Sequence, residues 1–301
     1  MYDILDIEHF VGRFSYRFGA KIIVPKIANF LRIKPVLAYL EIHIVDQCNL
    51  NCKGCGHFSP ISNEWFINPD EYQHDINKLK NLFSSIRIIR IMGGEPLLHP
   101  KIERLLLQTR TCFPKADIRI VTNGILLNQM SDSFWKVCKI FHISFDVTVY
   151  PPVRNKTGFV VELLRAKGVK LNEFKRVDFF YAFYNKEGNS NNELNFQKCK
   201  PKWNTCTNLR QGRIYSCPIP TYIQSFNVRF GTQIPSDGYV NIYAPHLTGW
   251  EVRKALDKAP STCCYCTYGW DNVPRFAWST SKQIISDWDA TNAPRNRIDS
   301  Q

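Results

Sequence analysis

The sequence predicts an α/β fold on a parallel sheet, with a smaller cysteine-rich module behind it. Two observations carry this. Strand-like and helix-like segments alternate five or six times between Tyr39 and Tyr184, and such alternation yields parallel strands joined by crossover helices. The texture then changes. Residues 186–196 (KEGNSNNELNF) are polar and linker-like, and six of the chain's eleven cysteines follow, between Cys199 and Cys266.

Tyr39–Asp46 (YLEIHIVD) predicts the first strand and runs straight into CNLNCKGC. Asn68-Pro-Asp-Glu opens a helix whose apolar face is Ile76, Leu79, Leu82 and Phe83. Ile86–Met92 predicts a second strand ending in Gly93-Gly94-Glu95-Pro96, followed by a helix over 100–112. Asp117–Val121 predicts a third, ending in Thr122-Asn123-Gly124, before a helix over Ser131–Cys138. Ile140–Phe145 is expected as the fourth strand, ending near Asp146. Phe159–Ala166 is expected as a helix, and Val169–Phe174 and Val177–Tyr184 as the last two strands. Sites on parallel sheets and barrels gather at the carboxyl ends of the strands. The cysteines, the GGE run, TNG and Asp146 should therefore face one another across one mouth. Further on, TNLRQGRIYSCP (207–218) predicts a hairpin turning at Gln211-Gly212. Thr248-x-x-Glu251 is a capping box for a helix to about Ala259. Three regions result: an N-terminal helical extension over 1–35, the repeating α/β region over 36–185, and a cysteine-rich module over 186–301.

With 301 residues and 44% hydrophobic residues, the chain can bury one large core or two modest ones. The formal charge is +13, which suits a basic surface, an anionic substrate or an acidic redox partner. No Lys/Arg block is interleaved with aromatics, so nucleic acid is not expected as a partner. MYDILDIEHFVGRF lacks the basic and apolar regions of a signal peptide. Residues 21–45 are broken by Pro25, Lys26, Arg32, Lys34 and Pro35, so no membrane span is expected. A cytoplasmic location follows as the expectation, with the cysteines serving metal or redox chemistry rather than disulfides.

Three cysteines lie in one short loop, Cys48-x3-Cys52-x2-Cys55. Thiolates are soft ligands suited to zinc or iron–sulfur clusters. Structural zinc sites close with four ligands, for which His57 is the available candidate. A [4Fe–4S] cluster on three cysteines leaves one iron open to bind a small molecule. CNLNCKGC together with MGGEPLLHP resembles the radical S-adenosylmethionine (SAM) enzymes. That resemblance covers most of Tyr39–Tyr150. It implies a partial (β/α)6 radical SAM barrel, with Cys48, Cys52 and Cys55 holding a [4Fe–4S] cluster. It also implies that S-adenosyl-L-methionine binds there and is cleaved to a 5′-deoxyadenosyl radical. Gly93, Gly94 and Glu95 would bind the SAM amino group, Asn123 would face the cofactor, and Asp146 or Ser144 would meet the ribose. The family has an aromatic residue just before the third cysteine. Here that position is Gly54, so His57 or Phe58 is expected to supply the adenine contact.

Cys199-x17-Cys217-x45-Cys263-x2-Cys266 offers four more thiolates. This spacing resembles the Twitch module, a shortened SPASM-like α+β unit that holds an auxiliary [4Fe–4S] cluster. It is similar to that of the 2-deoxy-scyllo-inosamine dehydrogenases, which oxidise aminocyclitols. Structural zinc is the alternative occupant, and either Cys199 or Cys206 could be the first ligand. Cys264 and, on the first choice, Cys206 are left over, and Cys206 is a candidate hydrogen donor. Cys112 and Cys138 fall in helical patterns, as buried thiols do.

The resemblance implies an oxidoreductase with two clusters that dehydrogenates or epimerises a sugar or aminocyclitol, served by a flavodoxin or ferredoxin-type reductant. A maturase of a ribosomal peptide is the second reading, and a zinc-binding interaction protein the remote one. The sequence leaves the substrate and the general base open.

Overall fold

The fold is that of a computed structural model, which describes residues 27, 31, 33–199 and 206–291. The expected N-terminal extension lies almost wholly outside them. Five parallel strands form the main frame: β1 (Val36–His43), β2 (Ser85–Met92), β3 (Asp117–Thr122), β4 (Ser144–Val149) and β5 (Lys170–Arg176). Between them run α1 (Pro69–Leu82), α2 (Ile102–Cys112), α3 (Asp132–Ile140) and α4 (Thr157–Ala166). The helix starts are chemically defined. Asn68 accepts from the Asp70 N–H at 2.8 Å with Pro69 in the first turn, and Ser131 accepts from the Phe134 N–H at 3.1 Å.

The outer faces of the strands (Leu40, Ile42, Ile89, Ile91, Ile118, Ile120, Phe145, Val147) pack beneath these helices with Ile76, Leu79, Leu105 and Phe134. The inner faces are polar, which is where the site lies.

Three elements differ from expectation. The fourth strand runs Ser144–Val149, four residues later than read, because α3 continues to Ile140 and His142 turns the chain at φ 50°. The sixth strand leaves the sheet: β6 (Phe179–Tyr181) pairs antiparallel with β10 (Arg275–Ala277). The place beside β1 is taken by β7 (Asn208–Arg210), which pairs parallel to it, Glu41 opposite Asn208 and Ile42 opposite Leu209.

The expected hairpin is present. β7 turns through Gln211 and Gly212, at φ 47° and 70°, into β8 (Arg213–Tyr215), and β9 (Tyr239–Asn241) completes the eight-stranded sheet. Around it lie α5 (Asn192–Lys198), α6 (Pro218–Phe230) and α7 (Gly249–Leu256), the last carrying the predicted capping box. The cysteine-rich region thus extends the sheet of the barrel. A second core, with Phe58, Phe183, Tyr184, Phe226, Trp288 and Cys266, fills the angle between the two. Among the described residues, no helix is long and apolar enough to cross a membrane.

Candidate active site

After β1 the chain continues to Gln47 and then enters the cysteine loop. The glycine pair after β2 is what lets the two segments meet. A Cβ on Gly93 would lie 2.3 Å from the Val45 carbonyl oxygen, and one on Gly94 would lie 2.1 Å from that of Gln47. With no side chains there, the Gly94 N–H donates to Val45 and the Glu95 N–H to Gln47, both at 2.8 Å. The GGE run therefore braces the base of the cysteine loop.

Each of the three sulfurs faces N–H groups. The Leu50 N–H donates to Cys48 Sγ at 3.4 Å, and the backbone N–H groups of His57, Phe58 and Ser59 serve Cys55. The donor to Cys52 is remote: Trp278 Nε1 at 3.2 Å. Burial raises all three thiols, Cys52 to about 12, and Glu95, then Cys55 and Cys52, lift Cys48 further. Among the described residues, no group of three or more His, Cys, Asp or Glu surrounds a single-ion position. The donor set itself fits an iron–sulfur cluster: three soft ligands share one buried loop, each sulfur met by N–H dipoles of the kind that stabilise cluster charge.

Glu95 is completely buried. Its Oε1 accepts from Thr122 Oγ1 at 2.7 Å and from the Leu97 N–H at 3.2 Å, and its Oε2 from the Asn123 N–H at 2.9 Å. Burial raises its pKa to about 7 against these bonds. A carboxylate has about four acceptor positions, so one remains for an incoming ammonium. Asn123 Nδ2 donates to Asn49 Oδ1 at 2.7 Å and lies 3.9 Å from Cys48 Sγ. The GGE and TNG turns and the cysteine loop therefore converge, as expected.

Other expected site residues are placed differently. Ser144 opens β4, at the far end of the strand from the mouth, and its hydroxyl donates to Asp117 at 3.2 Å. Asp146 is mid-strand on the inner face, 3.0 Å from Arg90 Nε and accepting from Asn172 at 2.8 Å. Neither residue ends the strand, where the sequence placed Asp146. Phe58 is fully buried against Phe183, Phe226 and Trp288, and packs instead of facing a ligand. His57 lies against His43 and Tyr222, with ring centroids 5.6 and 5.1 Å away, and burial pushes its pKa down to about 3. Gly54 has a physical cause: φ is +73° and a Cβ there would stand 3.0 Å from Phe180 Cβ.

The structure adds residues that local sequence patterns did not reveal. Tyr150, directly after β4, stacks on Phe180 at 5.7 Å and 7°, and its hydroxyl is raised by burial and then by Cys52, Cys55, Cys48 and Glu95 around it. On the inner face, Tyr39 donates to Glu41 at 2.5 Å and Arg90 donates to Tyr39 at 3.0 Å. Nearer the mouth, Arg210 holds Asp46 with two bonds of 2.6 and 2.8 Å, and His43 Nε2 lies 2.6 Å from the same carboxylate. Burial alone would raise Asp46, but Arg210 and His43 hold it at about 2. His43 Nδ1, fully buried, has no partner among the described residues. Asp46 stood two residues before Cys48 as a signal, while Arg210 is fixed only by the β1–β7 pairing.

The second cysteine set also converges. Cys199, Cys206, Cys217, Cys263 and Cys266 line one cavity between α5, α6 and the Ser261–Tyr265 turn. Asn195 Nδ2 donates to the carbonyls of both Cys263 and Cys266 at 2.6 Å, fixing the C-x2-C turn. Cys264 does not line the cavity. Cys206 lines this cavity, and its neighbour Thr207 accepts from the Glu41 N–H at 2.8 Å, so it stands between the cavity and the inner face of β1. Cys112 and Cys138 are buried in the first core, as expected.

Residues 42–169 match the Radical SAM superfamily model. That span takes in the cysteine loop and the GGE and TNG turns. The chain is 29% identical over 115 residues to a GTP 3′,8-cyclase of Microcystis aeruginosa, and 37% identical over 112 residues to that of Clostridium acetobutylicum. Each match covers 36% of this chain and 34% of the relative, so the chain spans about a third of the length of these curated relatives. In structure it is similar to anSMEcpe with bound AdoMet, with a TM-score of 0.50 and 14% identity, over 79% of this chain and 84% of that one. That likeness shows the fold alone. BtrN in complex with AdoMet and 2-DOIA aligns over 77% of this chain and 94% of that one, at a TM-score of 0.47 and 18% identity.

Proposed function

We propose that the chain is a radical SAM oxidoreductase with two [4Fe–4S] sites, acting on the C–H bond of a sugar or aminocyclitol carbinol. The observation that carries the reading is that the cysteines form two separate sets, three in one loop seated by the GGE turn and five lining one cavity. When loaded, the first site supplies a 5′-deoxyadenosyl radical and the second a one-electron acceptor. Dehydrogenation balances on these terms: the carbinol loses a hydrogen atom to the radical, then a proton and an electron, and becomes a ketone.

The chain's own residues divide the work. Cys48, Cys52 and Cys55 hold the first group, and the remaining lone pair of Glu95 meets the SAM ammonium. Tyr150 offers an aromatic face near the position left bare at Gly54. Cys217, Cys263 and Cys266 hold the second group, with Cys199 as the fourth ligand. The inner face sets Glu41, Asp117, Asp146 and Glu173 against Arg90 and Arg119. Four carboxylates against two guanidiniums suit hydroxyl and ammonium groups better than a phosphate. Cys206, between the inner face and the cavity, is the candidate hydrogen donor if the reaction is epimerisation. A basic chain of +13 suits an acidic flavodoxin or ferredoxin as reductant.

The test is anaerobic reconstitution followed by turnover of amino- and deoxyamino-sugars or cyclitols in D2O. The expected result is about eight irons per chain, 5′-deoxyadenosine and a ketone. The Cys48/Cys52/Cys55→Ala variant should keep about four irons. Deuterium at an inverted carbon, lost in Cys206→Ala, would replace dehydrogenation by epimerisation. Zinc without iron in the anaerobic protein would sink the whole reading.

A further inference from the structure

The sulfurs of Cys48 and Cys55 receive their N–H groups from within the cysteine loop, so those bonds form wherever the loop folds. Cys52 is different. Its donor is the indole of Trp278, 226 residues further on and 3.2 Å away. The indole is not a chance neighbour. Its own backbone is registered on the loop: the Lys53 N–H donates to the Ser279 carbonyl at 2.9 Å, the Ser281 N–H to the Asn51 carbonyl at 2.7 Å, and Cys52 forms an antiparallel bridge with Thr280. On its other side the Trp278 N–H donates to the Asp178 carbonyl at 2.7 Å. Ten residues later, Trp288 Nε1 donates to the Cys55 carbonyl at 2.9 Å. The segment from β10 to Trp288 is thus strapped across the loop from both ends, with one bond reaching a sulfur and the other only the backbone.

We propose that Trp278 sets the reduction potential of the cluster held by Cys48, Cys52 and Cys55, and that the C-terminal strap is therefore a working part of the radical SAM site. The inference rests on the reading that these cysteines hold a [4Fe–4S] cluster. The physical cause is charge. One-electron reduction adds a negative charge that spreads over the cluster and its sulfur ligands. A hydrogen bond to a more highly charged acceptor is stronger. An N–H donor on Cys52 Sγ therefore stabilises the reduced state more than the oxidised one and raises the potential. A higher potential lets a mild physiological reductant load the cluster with its electron. Cys52 is only 5% exposed, so water does not compete with the indole for this sulfur.

Anaerobic redox titration followed by electron paramagnetic resonance tests this. The relevant signal is the one that changes on adding S-adenosylmethionine, because only an open iron can bind it. Trp278→Phe keeps a ring but has no N–H. At a fixed poise its reduced-to-oxidised ratio should fall about tenfold, a drop of about 59 mV for a one-electron couple. Trp278→His, which can present a ring N–H, should recover part of that shift. Trp288→Phe, which loses only a bond to backbone, should leave the midpoint in place. An unchanged midpoint in Trp278→Phe at full iron content overturns the proposal, and so does loss of this cluster's iron from both Trp278 variants, which would make the indole a packing group. A wild-type chain whose iron gives no SAM-responsive signal overturns the reading beneath it as well.

Discussion

Glu95 concentrates several demands in one side chain. It is fully buried, it ties the Thr122-Asn123 turn to the Pro96–Leu98 turn, and its pKa is raised to about 7. Its sign is that of a carboxyl penalised by burial. The folded chain keeps the proton up to about pH 7, while the unfolded chain releases it near 4.5. Its contribution to stability is therefore complete below pH 4.5 and is lost as the pH rises through 7. In urea titrations of iron-free protein, the gap between wild type and Glu95→Ala should narrow by roughly 2–3 kcal/mol between those limits. A docked ammonium reverses the preference, because it favours the ionised form. Glu95→Ala with intact iron should accordingly bind S-adenosylmethionine about ten- to a hundred-fold more weakly in equilibrium dialysis. This residue was legible from the GGE turn itself, although two of its partners, Thr122 and Asn123, lie 27 and 28 residues on. Trp278 was not: one tryptophan among seven carries no mark of the sulfur it will meet.

Among the elements, the junction of β1 and β2 is the most constrained. Gly94 has no room for a methyl group, since the Gln47 carbonyl would lie 2.1 Å from it. Gly94→Ala must push the two segments apart and break the paired bonds that seat the cysteine loop. Overpacking of that kind costs about 1–3 kcal/mol. The expected outcome is a chain that still folds by circular dichroism but retains only the iron of the second site after reconstitution. The strands themselves were mostly predictable from their apolar runs. β4 was misplaced because Ile140 and Phe141 look strand-like, yet they finish α3 before His142 turns the chain. Four residues of error moved Asp146 from the mouth to mid-strand, where Arg90 holds it. β6 read as one more barrel strand, but its partner is β10, almost a hundred residues on, and alternation along the chain does not encode such a pairing.

On the scale of the whole molecule, the sheet joins what the sequence divides. The polar linker before Cys199 predicted a boundary, yet β7, β8 and β9 extend the barrel's own sheet, and Leu209, Ile214, Ile242 and Val252 lie in its core. One cooperative unit is the consequence. Iron-free protein should unfold in urea in a single transition, with tryptophan fluorescence and far-ultraviolet circular dichroism coinciding. Two separated transitions would instead place an independent module behind the barrel. The same pairing has a meaning for the chain while it is being made. Ile42 leaves the ribosome early, but Leu209, which sits opposite it in β7, comes 167 positions later. At synthesis rates of about 5–20 residues per second, that is a wait of roughly 8–33 seconds. Throughout it, one side of β1 offers bare N–H and C=O groups next to an apolar face, a template on which a neighbouring nascent strand can pair. The spacing of ribosomes along the message therefore sets how often two such open edges meet before β7 arrives.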